Sequence, residues 1–141
     1  MTDEEFDTLI EEGFAKLPAW VREKIRNVAL LVENEPSDED KRMQGLSEGE
    51  TLLGLYKGIP LSERGEMYGI GMTLPDTITI YREPTLDLAD EECPANAPEE
   101  VFRDHVRRII TETVWHEFAH HFGMDEHAVR MRENERDAKE I

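Results

Sequence analysis

The stretch that decides the fold is EEVFRDHVRRIITETVWHEFAHHFG, residues 99–123. Its apolar residues recur at helical spacing, and Pro98 and Glu99 are suited to a first helical turn. Gly123 can end a helix by adopting a left-handed conformation. The sequence therefore predicts one long helix from about Glu99 to Phe122.

Two histidines continue the apolar stripe of this helix. The stripe follows positions 102, 106, 109, 113, 116 and 120, so His116 and His120 are predicted to point toward the core. Imidazoles one turn apart can converge on a single cation. Glu117 stands beside the same cation and can act as general base toward a metal-activated water. His116-Glu117-x-x-His120 is thus the H-E-x-x-H pattern of zinc-dependent hydrolysis.

A catalytic zinc needs a third protein ligand and an open position for water. Gly123 can turn the chain so that Glu126 returns to the cation. Asp125 or His127 could take that place if the turn differs by one residue, and Glu140 could do so from a following helix. The predicted ligands of one zinc ion per chain are His116, His120 and Glu126.

Three other aromatic side chains of this helix, His121, His105 and Trp115, are not predicted to bind the metal. His121 lies about 100° around the helix from His120, so it is predicted to pack or to orient a ligand. His105 lies about three turns before His116, too far along the axis to share its metal. Trp115 is predicted to lie in the core.

Hydrophobic spacing and turn residues divide the rest of the chain into short elements. The predicted elements are helices from Asp3 to about Lys16 and from Pro18 to about Ile25, a buried strand over Val28–Asn34, polar turns over 36–50, and a strand over Leu52–Tyr56. A further strand lies within PDTITIYREP, residues 75–84.

The alternating pattern of PDTITIYREP, with prolines near both ends, predicts a half-buried edge strand. An extended peptide could add to such an edge and lay its scissile bond over the metal. Tyr81 in this strand is a candidate donor to the oxyanion of the tetrahedral intermediate.

Length and charge restrict the classes of function. A chain of 141 residues suits one domain, with a core over about 18–130 and a frayed tail over 131–141. The net charge of −17 argues against nucleic acid and membrane surfaces as partners. The single cysteine, Cys93, and an acidic N-terminus without a signal-like apolar run predict a soluble cytoplasmic protein.

Three blocks together resemble the small bacterial zincin-like metallopeptidase family: HEFAHHFGMDE (116–126), LLGLYKGIPLSERG (52–65) and PDTITIYREP (75–84). The similarity runs from about Asn27 to Val129. It implies a minimal zincin-like fold, an α+β domain in which a small mixed β-sheet packs against the long active-site helix. It also implies that His116 and His120 bind zinc, that Glu117 is the base, and that an acidic residue after Gly123 is the third ligand.

The sequence thus predicts a zinc-dependent metallopeptidase acting on peptides or unfolded protein. Because a domain of this size has little material for a deep specificity pocket, we expect an open groove. The alternative is a non-catalytic zinc domain, in which Asp125 or His127 closes the metal for folding or partner binding. The acidic N-terminal helix could cover the site, or it could be a simple packing helix.

Overall fold

One long helix and a three-stranded sheet organise the fold. The structure is a computed structural model that describes residues 1–47, 49–58 and 75–121. The elements in these ranges are α1 (Asp3–Ala15), α2 (Ala19–Lys24), β1 (Ala29–Glu33), α3 (Asp38–Met43), β2 (Gly54–Lys57), β3 (Thr77–Tyr81), α4 (Arg82–Glu92) and α5 (Glu99–His121).

The described sheet is mixed, with the strand order β1-β3-β2. β1 runs parallel to β3, with Leu30 opposite Ile78, and β2 runs antiparallel to it, with Tyr56 also opposite Ile78. β2 and β3 both contact α5. The predicted α+β architecture, a small mixed sheet against a long helix, is confirmed.

The first helix packs on α5. Its cap is Thr2, whose hydroxyl accepts a hydrogen bond from the Glu5 N–H at 3.1 Å. α1 meets α5 at Gly13, where a Cβ would lie 3.0 Å from Ile110 Cγ2, and Thr111 Oγ1 donates to the Gly13 carbonyl at 2.8 Å. These contacts lie N-terminal to His116 and His120 along α5. At them, α1 packs on the part of α5 that precedes the candidate ligands.

The third strand lies at the centre of the sheet, so the prediction of a half-buried edge strand over 75–84 is wrong. β3 pairs on both sides, and Ile78, Thr79, Ile80 and Tyr81 are all buried. The prediction of a buried strand over 28–34 is also wrong in its burial. In the described sheet β1 pairs with β3 alone. Leu31 and Val32 are 43% and 39% exposed, so this part of β1 is not covered as a buried strand would be.

Two helices lie where the sequence analysis predicted none. α3 falls in the stretch read as polar turns, and the Ser37 hydroxyl caps it by accepting from the Asp40 N–H at 3.0 Å. α4 follows β3 directly, and Pro84 lies in its first turn, where a missing N–H costs no helical hydrogen bond. The proline read as the end of a strand therefore belongs to the start of a helix.

Both sheet and helices contribute to one hydrophobic core. Its fully buried large side chains are Phe6, Leu9, Val21, Ile25, Ile78, Ile80, Tyr81, Val106, Ile110, Val114, Trp115 and Phe118. The predicted core position of Trp115 is confirmed. Within the described ranges, no helix is both long and apolar enough to cross a membrane.

The approach of β2 to α5 depends on a glycine. A Cβ on Gly54 would lie 2.6 Å from Thr113 Cγ2 and 2.9 Å from the Thr79 carbonyl oxygen, distances that real Cβ atoms essentially never show. A side chain at this position would therefore push the strand away from the helix.

We expect Gly54→Ala to lower the free energy of unfolding by about 1–3 kcal/mol, because the added methyl group overpacks the β2–α5 contact. Urea denaturation measures the effect. Gly58→Ala is the matched control, since a Cβ there would be 3.6 Å from its nearest neighbour, an ordinary contact. Equal destabilisation by both substitutions would contradict this account of Gly54.

Candidate active site

The last turns of α5 carry the predicted ligands, but not on a buried face. His116 and His120 are both exposed, whereas Val106, Ile109 and Thr113 on the same stripe are buried. The expectation that the histidines point toward the core is therefore wrong. The two imidazole rings lie nearly parallel at 23°, with their centroids 6.2 Å apart.

Aromatic packing at this end of the helix covers a different side from the one that carries the histidines. Trp20 of α2 contacts Trp115 and Phe118 edge-on, with ring centroids 5.8 and 5.6 Å away. These contacts bury the side of α5 that carries Trp115 and Phe118. The histidines lie on a different side, so they remain accessible while the helix end is fixed.

Glu117 is held by the backbone of β2. Its Oε2 accepts a hydrogen bond from the Tyr56 N–H at 3.1 Å, and the side chain is half-buried. Burial raises the pKa of the Glu117 carboxyl above its ordinary value, although the Tyr56 N–H and the nearby His120 act in the opposite direction. A carboxylate fixed in this way has the properties expected of a general base.

A stacked pair of rings joins β2 to the end of α5. The Tyr56 and His121 rings are 3.7 Å apart at 14°, and Tyr56 Oη donates to Asp76 Oδ2 at 2.9 Å. His121 Nε2 lies 3.7 Å from the same oxygen. Sequence reasoning missed Tyr56 and Asp76, because no local pattern indicates that positions 56, 76 and 121 meet.

The predicted third ligand lies outside the described residues, as do its alternatives, so Glu126, Asp125, His127 and Glu140 stay predictions. Among the residues that are described, no group of three or more His, Cys, Asp or Glu side chains is arranged to hold a metal ion. His116 and His120 nevertheless offer accessible imidazole donors one turn apart. This pair fits two of the three protein ligands of a catalytic zinc.

Tyr81 does not reach this site as an oxyanion donor. Its side chain is 1% exposed, and its hydroxyl is hydrogen-bonded with Asp40. Lys57 Nζ forms an ion pair with the same carboxylate at 2.9 Å. Burial, followed by the charges of Asp40 and Glu33, raises the pKa of Tyr81 to about 12. Tyr81 thus contributes, with Asp40 and Lys57, to a polar cluster that joins α3 to the sheet.

A cavity of about 360 Å³ adjoins the site, with His116 and Glu117 in its wall. It lies between the segment leading into β2, the C-terminal half of α4 and the face of α5 that carries Ile109 and Thr113. The expectation of an open groove without a specificity pocket is therefore incomplete. α4, which sequence analysis did not predict, supplies one of its walls.

Comparison with known proteins identifies a family. The model of the zincin-like metallopeptidases matches residues 25–136. No curated protein matches the chain. Among solved structures, a conserved hypothetical protein from T. thermophilus is 24% identical, with a TM-score of 0.49 over 86% of this chain and 94% of that one.

The raised pKa of Tyr81 predicts an alkaline limit to stability. Because its folded-state pKa of about 12 lies above the ordinary value of 10.0, the neutral phenol stabilises the fold fully below pH 10. That contribution is lost as the pH rises from 10 through 12. The advantage of wild type over Tyr81→Phe in free energy of unfolding should be about 1.4 kcal/mol smaller at pH 11 than at pH 8. Urea titrations of both proteins at each pH measure it, and an unchanged difference would contradict the assignment.

Proposed function

Because the chain belongs to the zincin-like metallopeptidase family, we propose that it is a zinc-dependent peptidase in which Glu117 is the general base. The observation that carries the proposal is the hydrogen bond from the Tyr56 N–H to Glu117 Oε2. It fixes the carboxylate on the part of the helix that carries the two exposed imidazoles, beside a strand that can receive a peptide. The substrates are peptides or unfolded protein, in the cytoplasm.

His116 and His120 hold one zinc ion in this proposal, and Glu126 completes the set, with Asp125, His127 and Glu140 as alternatives. Zinc, when bound, supplies a Lewis acid that brings the pKa of water toward neutrality. Solvent exposure of both imidazoles supports this assignment, since a catalytic metal must be reached by substrate.

Glu117 moves the proton during hydrolysis. Its Oε2 is held by the Tyr56 N–H, and we assign proton transfer to Oε1. Oε1 takes a proton from the attacking water as the water oxygen bonds to the carbonyl carbon. The same oxygen then gives the proton to the amide nitrogen as the C–N bond breaks. The products are a carboxylic acid and an amine, and the proton that remains on the acid passes to the amine, which leaves a carboxylate and an ammonium ion at neutral pH.

The substrate lies along β2, which takes the role that the sequence analysis gave to residues 75–84. β2 is at the edge of the described sheet, and the Tyr56 N–H points away from β3 toward Glu117. In an antiparallel pair, backbone groups alternate in direction, so the Gly54 N–H and C=O and the Tyr56 C=O also face outward. These groups can hydrogen-bond an extended peptide next to Glu117.

The alternative function, a closed zinc site for folding or partner binding, receives less support. Structural zinc is usually enclosed by four protein ligands. Here His116 and Glu117 line a cavity large enough for a side chain. A ligand and a general base that share the wall of a cavity suit a reaction at the metal.

The test of this proposal is Glu117→Gln in zinc-loaded protein. The amide cannot take a proton from water, so peptide hydrolysis should fall by roughly 100-fold or more. Zinc content should be unchanged, because Glu117 is not one of the assigned ligands. A quenched-fluorescence peptide library measures hydrolysis, and atomic absorption measures zinc.

Glu100→Gln is the matched control, since Glu100 is an exposed glutamate in the first turn of the same helix. It should cleave at the wild-type rate. Hydrolysis by Glu117→Gln at the wild-type rate would overturn the mechanism. Unfolding on chelation, with no hydrolysis by any of the three proteins, would favour the closed zinc site.

A further inference from the structure

Tyr56 contacts the end of α5 at two points that lie one helical turn apart. Its backbone N–H donates to Glu117 Oε2, and its ring stacks on the ring of His121 with a centroid distance of 3.7 Å. Residues four apart lie on the same face of a helix. One residue of β2 therefore holds both ends of the last described turn of α5, the turn that also carries His120.

The hydrogen bonds of the sheet do not hold the Tyr56 N–H. The Tyr81 N–H donates to the Leu53 carbonyl at 2.9 Å, and hydrogen-bonded residues alternate along an antiparallel pair. The Leu55 N–H therefore faces β3, whereas the Tyr56 N–H faces away from it, toward Glu117. The direction of this N–H depends on contacts at the outer side of β2.

Asp76 anchors the side chain of Tyr56 just before β3. Its Oδ2 accepts a hydrogen bond from Tyr56 Oη at 2.9 Å and lies 3.7 Å from His121 Nε2. The Asp76 carbonyl accepts from the Ala29 N–H at 2.9 Å, which joins this residue to the start of β1. A carboxylate is a stronger acceptor for a phenol than a neutral group is. The Tyr56 side chain is therefore held at its hydroxyl by Asp76 and at the face of its ring by His121.

We propose that Tyr56 is a positioning residue of the candidate site. Its side chain, held by Asp76 and His121, keeps its backbone N–H directed at the Glu117 carboxylate. The catalytic consequence rests on the proposed peptidase function, in which Glu117 is the base. The N–H fixes Oε2, and the orientation of the carboxylate then determines where Oε1 meets the attacking water. Displacement of a reacting group by about 1 Å can lower a rate by roughly 100-fold.

Hydrogen exchange of the backbone amide at position 56, followed by nuclear magnetic resonance, tests this inference without any cleavage. Exchange requires the N–H to leave Glu117 Oε2, whereas exchange of the Leu55 amide requires β2 to leave β3. Tyr56→Phe and Asp76→Ala should each speed exchange at position 56 roughly fivefold, the effect of one lost hydrogen bond, and leave the Leu55 amide within about twofold. Glu117→Ala removes the acceptor and should give the largest increase.

Tyr81→Phe is the matched control. It removes the hydroxyl of another strand tyrosine, one that is hydrogen-bonded with Asp40. Exchange at position 56 should be unchanged in this variant, which separates a local effect from a general loss of stability. Equal acceleration at position 56 in the Tyr56 and Tyr81 variants would overturn the inference, as would an unchanged rate in Tyr56→Phe and Asp76→Ala.

Cleavage by zinc-loaded protein tests the catalytic consequence. Tyr56→Phe should lower kcat roughly fivefold, with KM and zinc content within about twofold of wild type. In the Glu117→Gln background the same substitution should change the residual rate less than about twofold, because the group that Tyr56 positions can no longer take a proton. A fall in kcat of the same size in both backgrounds would overturn the inference.

Exchange and cleavage together distinguish this inference from the proposed function. Faster exchange at position 56 in Tyr56→Phe and Asp76→Ala, without cleavage of any peptide by wild type, supports the hold on Glu117 and overturns the peptidase. Cleavage that Tyr56→Phe leaves unchanged overturns the inference while the peptidase stands. Faster exchange together with a lower kcat that depends on Glu117 supports both.

Discussion

The close approach of β2 to α5 is the constraint on which the candidate site depends. Gly54 permits it, because any Cβ there would collide with Thr113 and with the Thr79 carbonyl. Further along the same strand, the consequence is the hydrogen bond from the Tyr56 N–H to Glu117. This hydrogen bond fixes the Glu117 carboxylate of α5 at the edge of β2. The stacked rings of Tyr56 and His121 hold the same two elements together.

The proposed zinc site requires the end of α5 to be both rigid and accessible, and the two requirements are met on different sides of the helix. Trp20 packs on Trp115 and Phe118, which fixes the helix end in the core. His116 and His120 lie on a different side and are exposed. Rigid packing on one side and accessible donors on the other are what a preorganised metal site requires.

Local patterns in the sequence predicted the helices α1, α2 and α5 and the strand segments. The H-E-x-x-H motif indicated His116, Glu117 and His120 as candidate site residues. The predictions were wrong where the structure of a segment depends on its position in the sheet or on packing against residues that are distant in the sequence. The alternation over 75–84 cannot show that β3 pairs on both sides, and Pro84 suits a strand end as well as a first helical turn. The side of α5 that Trp20 covers is determined by a residue far away in the sequence, and the Tyr56–Glu117 hydrogen bond joins residues 61 apart. For α3, by contrast, the sequence does carry a local signal, the Ser37-x-x-Asp40 cap at its N-terminus.

The central claim is that His116 and His120 bind zinc at the end of α5. The direct measurement is the zinc content of protein purified without added metal or affinity tag, for wild type and for a His116→Ala/His120→Ala double variant. The account predicts about one zinc per wild-type chain and essentially none in the double variant. Wild type that takes up no zinc even after incubation with it, or a double variant that retains the wild-type content, would contradict the account.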